Sequence, residues 1–232
     1  MHLSARTATV GPMSSLEISV RGRARRRYPA ERATVGLSAN LEGLDRDEVY
    51  RRAVALQEPL TAELAELRAA GVVGRWSSDQ LRVFSFRPYS ESGPRPLMYR
   101  VAIAVEAEFV DFEQLSSFLD RWAVADGVEV GGTSWDVTED NRRAYEDALR
   151  TEAVADATAK AQAFASAAGR GRVVAVQLAD PGMLTDGGGP GGRVMKTAMA
   201  MPAPMADSGP QLSLRPGDIE LDVAVDARFV AE

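Results

Sequence analysis

The sequence of 232 residues contains no cysteine and a single histidine, His2. Without cysteine the chain has no disulfides, thiolate nucleophiles, iron–sulfur clusters or Cys-ligated zinc. One histidine in the N-terminal leader excludes Ser-His-Asp and Cys-His catalysis for the folded part, and it excludes His-ligated metals there. We therefore expect a protein that is not an enzyme and has no cofactor.

Long apolar runs and an excess of positive charge are also lacking. No run approaches the roughly 20 residues of a membrane-spanning helix, so we expect no transmembrane segment. Residues 1–14 are predicted to be a disordered leader, and residues 1–12 lack the apolar core of a secretory signal. The net charge of −6 makes nucleic acid an improbable partner. The missing signal by itself favours a cytoplasmic location.

Alternating apolar residues predict that the ordered part begins with two strands. Leu16, Ile18 and Val20 form the first alternation, and residues 33–39 form the second. The intervening residues 22–32 contain Pro29 and many arginines, so they are interpreted as a long or bulged connection. The two strands are therefore predicted to form a hairpin.

The remaining elements alternate between helical stripes and further strands. Asp45 and Asp111 are predicted to cap two helices, and an alanine-rich helix is predicted over residues 139–168. The element order is β-β-α-β-β-α-β-α-β-β. Short turns favour antiparallel pairing, so the sequence predicts an α+β fold in which helices pack on one face of an antiparallel sheet. A single domain is expected over residues 15–231.

Residues 181–210 interrupt this pattern before the last strand. Twelve of these 30 residues are Gly or Pro, and the segment contains five of the eight methionines of the chain. Such a composition predicts a flexible loop and not a core element.

The densest charge cluster has five arginines in seven residues: Arg21, Arg23, Arg25, Arg26 and Arg27. One interpretation is a surface that binds an acidic protein or an anionic surface. The other is a solvated strand edge whose charge prevents aggregation between sheets. The overall acidity of the chain favours the second interpretation.

The methionines of the flexible loop form the second candidate site, which comprises Met183, Met195, Met199, Met201 and Met205. Thioethers suit Cu(I), and exposed methionines take up oxidants as reversible sulfoxides. An adaptable apolar loop that packs on another subunit explains the same cluster without metal or redox chemistry. Because no histidine or cysteine supports a metal site, the interface interpretation is preferred.

Two further residue groups have structural explanations. Asp136, Glu139 and Asp140 lie near a predicted helix start, where the helix dipole favours carboxylates without any bound cation. The three tryptophans are expected to anchor the core, and Trp122 and Trp135 are expected to share one core.

Four stretches of the sequence together resemble the SIMPL-domain family of bacteria. They are residues 16–37, the strand pair 78–86 and 99–110, the segment 131–169, and the loop 193–205 followed by residues 216–221. The resemblance implies an α+β fold, frequent export or envelope association, ring-like oligomers in some members and a link to oxidative stress. It implies no catalytic residues. The chain departs from the family pattern in lacking an export signal and in having Ala24 and Ala30-Glu31 in the first strand pair.

The sequence therefore predicts a non-enzymatic, self-assembling protein associated with stress or with the cell envelope. The protein is expected to form a homo-oligomer. The alternative is a binding module whose arginine-rich segment captures an acidic partner. The location stays open, because the leader favours the cytoplasm and the family resemblance favours the envelope or secretion.

Overall fold

A computed structural model describes residues 15–89, 93, 95–184 and 214–232. Within these ranges the chain forms seven strands and three helices in the predicted order, which confirms the α+β class. The elements are β1 (Leu16–Tyr28), β2 (Arg32–Gly43), α1 (Arg46–Ala69), β3 (Val73–Phe86), β4 (Met98–Phe109), α2 (Phe112–Trp122), β5 (Val128–Asp136), α3 (Glu139–Ala167), β6 (Val173–Ala179) and β7 (Ile219–Ala231). The predicted leader and residues 185–210 of the predicted loop lie outside the described residues.

The strands form two antiparallel sheets, whereas the sequence interpretation placed them in one. One sheet has the order β1-β7-β6 and the other has the order β3-β4-β2-β5. The predicted hairpin of β1 and β2 is therefore wrong, because these strands belong to different sheets. Strand β2 pairs with β4 and β5 instead, and β1 pairs with β7 near the other end of the chain.

The described residues group into two compact units, one for each sheet. The terminal unit contains residues 15–28, 139–184 and 220–232, and the inserted unit contains residues from 29–138 and 214–219. Each unit therefore has its own sheet and its own helices. The single domain expected over residues 15–231 stays a prediction.

The inserted unit has the order β-α-β-β-α-β from β2 to β5. Its strands are arranged β3-β4-β2-β5, and every pairing is antiparallel, which is the split β-α-β topology. Val35 pairs with Thr133 and Leu37 pairs with Val130, so two residues of β5 lie opposite one residue of β2. This irregularity confirms the bulge that Gly131-Gly132 suggests in the sequence.

Helices α1 and α2 cover one face of the inserted sheet. Their buried residues join those of β2 and β4 in one core that contains Phe109, Phe118 and Trp122, while Trp76 and Trp135 pack against it. The shared core of Trp122 and Trp135 is thereby confirmed. Both predicted caps are confirmed as well, since Asp45 accepts from the Glu48 N–H at 2.9 Å and Asp111 accepts from Glu113 and Gln114 at 3.0 Å.

The core of the terminal unit depends on small residues. One stripe of α3 is fully buried and consists of alanines four residues apart: Ala153, Ala157, Ala161 and Ala165. This stripe faces Gly22 of β1, and a Cβ atom added to Gly22 would lie 1.9 Å from the Ala153 carbonyl oxygen. The helix and the strand thus approach more closely than any side chain at position 22 allows.

Within the described ranges, none of the helices is long and apolar enough to span a membrane.

The close approach at Gly22 generates a prediction about stability. Gly22→Ala is expected to lower the free energy of unfolding by about 2–3 kcal/mol, because the new methyl group has to push the α3 backbone away from β1. Urea denaturation measures the change. The matched control is Gly36→Ala in β2, where a Cβ would have no heavy atom within 4 Å. Equal stability losses in both variants would contradict this account of the packing.

Candidate functional site

The arginine-rich segment predicted as a connection is the second half of strand β1. Gly22 and Ala24 are buried, while Arg21, Arg23 and Arg25, which alternate with them, are exposed. The strand alternation therefore continues through the segment. The sequence interpretation missed it because the inward-facing residues are too small to appear as an apolar pattern.

The arginines lie on the face of the terminal sheet opposite α3, together with the carboxylates of β7. We call this surface the charged face, and it comprises Glu17, Arg21, Arg23, Arg25, Glu220, Asp222, Asp226 and Arg228. Arg25 pairs with Glu220 at 3.1 Å and Arg228 pairs with Glu17 at 2.9 Å. The positive charge of β1 is thus largely neutralised by its neighbour in the sheet.

The remaining two arginines of the five-arginine cluster, Arg26 and Arg27, also contact carboxylates. Arg27 pairs with Glu220 at 3.3 Å, and Arg26 pairs with Glu152 of α3 at 2.5 Å. Arg23 differs, since its side chain forms no ion pair with a described residue. Capture of an external anion by the cluster stays a prediction, and four of the five guanidinium groups would have to exchange an existing partner for the new one.

Asp226 of β7 is the central acceptor of the charged face. Asp226 is 8% exposed. Its two carboxylate oxygens accept from Nε and Nη2 of Arg21 at 2.6 and 2.9 Å. One of them also accepts from the Gly182 N–H at 2.7 Å. The hydrogen bonds from Arg21 lower the pKa of Asp226, burial opposes the shift, and the Gly182 N–H adds to it. Asp226 therefore links β1, β7 and the segment that follows β6.

Asp156 and Lys160 hold β1 against α3 from the helix side. Lys160 Nζ donates to Asp156 at 2.6 Å and to the Arg21 carbonyl at 3.1 Å, and the Arg23 N–H donates to Asp156 at 2.8 Å. The hydrogen bond from Lys160 is the largest cause of the lowered pKa of Asp156. Neither Asp156 nor Asp226 was singled out by the sequence, because a lone aspartate in a strand or a helix has no distinguishing pattern.

Only one residue of the methionine candidate site lies within the described part of the chain. Met183 follows β6 and is 74% exposed. The other four methionines of the cluster, Met195, Met199, Met201 and Met205, lie outside the described residues. Their convergence on a metal or on a partner stays a prediction.

The candidate carboxylate groups are used structurally where the structure describes them. Asp45 caps α1, the Asp136 carboxylate accepts from the Val137 N–H at 2.9 Å, and the Asp136 backbone carbonyl accepts from the Glu31 N–H at 2.9 Å. Glu31 in turn accepts from the Thr138 N–H and hydroxyl at 2.7 and 2.8 Å. Glu139 and Asp140 lie in the first turn of α3, as the helix dipole favours. Among the described residues, no group of three or more His, Cys, Asp or Glu could hold a metal ion.

The ion pair at Asp226 predicts a pH-dependent contribution to stability. Because its pKa is lower in the folded state, Asp226 stabilises the fold fully above its unfolded pKa and loses this contribution as the pH falls through the folded pKa. Asp226→Asn is expected to lower the free energy of unfolding by about 2 kcal/mol at pH 7. The difference from wild type should vanish in strong acid. Urea denaturation across the acid range measures it, with Asp222→Asn on the same strand as the control.

Comparisons with known proteins agree with the sequence resemblance. The family model described as SIMPL, protein of unknown function (DUF541), matches residues 18–229, from β1 into β7. A search of the curated proteins finds no match. The matched region includes both sheets and all three helices described above. Because this match covers most of the 232 residues, the chain belongs to the SIMPL family.

Proposed function

We propose that this protein is a non-enzymatic subunit that assembles with copies of itself through strand β6. The observation that supports this proposal is a row of exposed apolar side chains on an edge strand. Val174, Val176 and Leu178 are 57%, 51% and 52% exposed, and β6 contains no charged residue. No other described strand pairs with the outer side of β6, and an apolar edge strand of this kind readily pairs with another strand.

The two edges of the terminal sheet differ in a way that supports one-sided assembly. Strand β1 forms one edge and carries five arginines, whereas β6 forms the other edge and carries none. Charged side chains protect an edge from pairing, and apolar ones do not. Pairing between the β6 strands of two copies would be isologous, so the same residues would be covered in both.

The non-enzymatic part of the proposal is supported by the structural use of two carboxyl groups in the terminal unit. Asp156 and Asp226 both have lowered pKa values, with hydrogen bonds from Lys160 and Arg21 as the largest causes. A general acid that works near neutral pH needs a raised carboxyl pKa. These two groups therefore suit a structural role.

We also propose an association with stress or with the cell envelope. The sequence resemblance and the methionine content of residues 181–210 support this part of the proposal. Capture of an acidic partner by the arginines of β1 is the weaker alternative. Those arginines already contact Glu152, Glu220 and Asp226. A partner would gain little from ion pairs that it has to break first.

Assembly through β6 is tested by size-exclusion chromatography with light scattering. We expect the wild type to form multimers at micromolar concentration and Val176→Lys to form monomers, because a lysine on the edge opposes strand pairing. The matched control is Val124→Lys, which replaces a valine that is 82% exposed and lies outside any strand. A wild type that is strictly monomeric would contradict the proposal, and so would equal assembly of both variants.

The proposed link to oxidative stress predicts an order of methionine oxidation. Met183 is 74% exposed, whereas Met98 at the start of β4 is half-buried. Peptide mass spectrometry after mild hydrogen peroxide treatment should find sulfoxide at Met183 before Met98. Methionine sulfoxide reductase should restore both. Faster oxidation of Met98 would show that accessibility in the fold does not direct the reaction.

A further inference from the structure

Strand β3 is an edge strand of the inserted sheet, as β6 is of the terminal sheet. Strand β3 pairs with β4 on one side only, and within the described part of the chain residues 81–86 make no backbone hydrogen bonds to any other element. Leu81 is 51% exposed and Phe84 is 45% exposed. These side chains lie on opposite faces of the sheet, so apolar surface is uncovered on both sides of the same edge.

On the helix side, the surface beside β3 is a shallow groove. It is lined by residues of α1 and β3, namely Arg46, Asp47, Tyr50, Leu81 and Val83. Leu81 pairs with Ile103, which is buried under α1 and so fixes the face on which Leu81 lies. Alternate side chains of an extended peptide alongside β3 would enter this groove.

On the open side, Phe84 lies among arginines. Arg100 of β4 stacks over Phe84 and Phe86, with its guanidinium carbon 5.5 and 5.1 Å from the two ring centres, and it pairs with Glu42. Arg82 is exposed on the same face, two residues before Phe84. An added strand would cover the exposed part of Phe84 and place its side chains beside these cations.

The segment that contains the second half of β3 is rich in arginine although the protein is acidic. Residues 80–100 contain four arginines and one acidic residue, in a chain whose net charge is −6. Arg82 and Arg95 form no ion pair with a described residue, and Arg87 donates from Nη1 to the Arg95 carbonyl at 3.0 Å. The arginines of β1 are mostly neutralised, whereas Arg82, Arg87 and Arg95 form no ion pair with any residue that the structure describes, and we expect them to contact carboxylates of another molecule.

We propose that β3 binds an extended acidic polypeptide by strand addition. The main chain of the ligand pairs with residues 81–86, its apolar side chains contact Leu81 on the helix side, and its carboxylates lie on the open side, where they contact Arg82 and cover Phe84. This activity is separate from assembly through β6. The free N–H and C=O groups of an edge strand pair with the main chain of a polypeptide, and single-stranded nucleic acid has no such main chain, so a peptide suits this edge better.

The test is fluorescence anisotropy with the full chain and a labelled peptide of alternating valine and glutamate. We expect saturable binding at micromolar concentration that Arg82→Glu weakens by at least about fivefold, since the new carboxylate repels those of the peptide. Arg52→Glu is the matched control, because it reverses an exposed arginine of α1 that does not line the groove. Phe84→Ser should weaken binding as well, and thermal unfolding confirms that each variant is folded.

Control ligands separate strand addition from general attraction between charges. A peptide with lysine in place of glutamate should not bind, and neither should a glutamate peptide with proline at alternate positions, since proline removes the N–H donors. Equal binding of the proline peptide, or equal loss in Arg82→Glu and Arg52→Glu, would overturn the proposal. So would tighter, Arg82-dependent binding of oligothymidylate or of phosphatidylserine vesicles. Val176→Lys should bind like wild type, so failure of the assembly proposal is recognised separately.

Discussion

Pairing of the first strand with the last is the constraint on which the rest of this structure depends. Strand β1 pairs with β7, and Arg21 contacts Asp226 across 205 positions in sequence. All of β2 to β5 is therefore an insertion between two strands of one sheet. Closing such a long loop is entropically unfavourable, so densely packed contacts between β1, β7 and α3 have to offset the loss of chain entropy. The alanine stripe of α3 against Gly22 and the buried carboxylate of Asp226 supply that density.

The same constraint explains why the most conspicuous sequence feature is mainly structural. Five arginines in seven residues favour an anion-binding surface when only the sequence is considered. Once β7 lies beside β1, its carboxylates at Glu220, Asp222 and Asp226 face those arginines. Pairing within the sheet satisfies most of the charge. In the inserted unit, Arg82 and Arg95 form no ion pair with a described residue, although the sequence shows only scattered arginines there.

Local features of the fold could be predicted because they depend on neighbouring residues. The caps Asp45 and Asp111, the bulge at Gly131-Gly132 and the alanine-rich helix all follow from patterns a few residues long. The failures have two physical causes. Alternation shows which residues of a strand face inward, but it carries no information about which strand lies alongside. The predicted hairpin of β1 and β2 was wrong for this reason, whereas the predicted connection over residues 22–32 was wrong because Gly22 and Ala24 are too small to show an apolar alternation.

The candidate functional surfaces show the same difference between features that depend on neighbouring residues and features that depend on distant ones. The sequence by itself determined the α+β class, the element order, the family resemblance and the absence of cysteine and of histidine from residues 15–232. Only the tertiary structure decided that the strands form two sheets, that β6 and β3 are edges, and that Asp226 joins β1 to β7. An edge exists because a neighbouring strand is missing, and a neutralised arginine exists because a carboxylate lies opposite it. Both are relations between distant residues, so they arise when the chain folds.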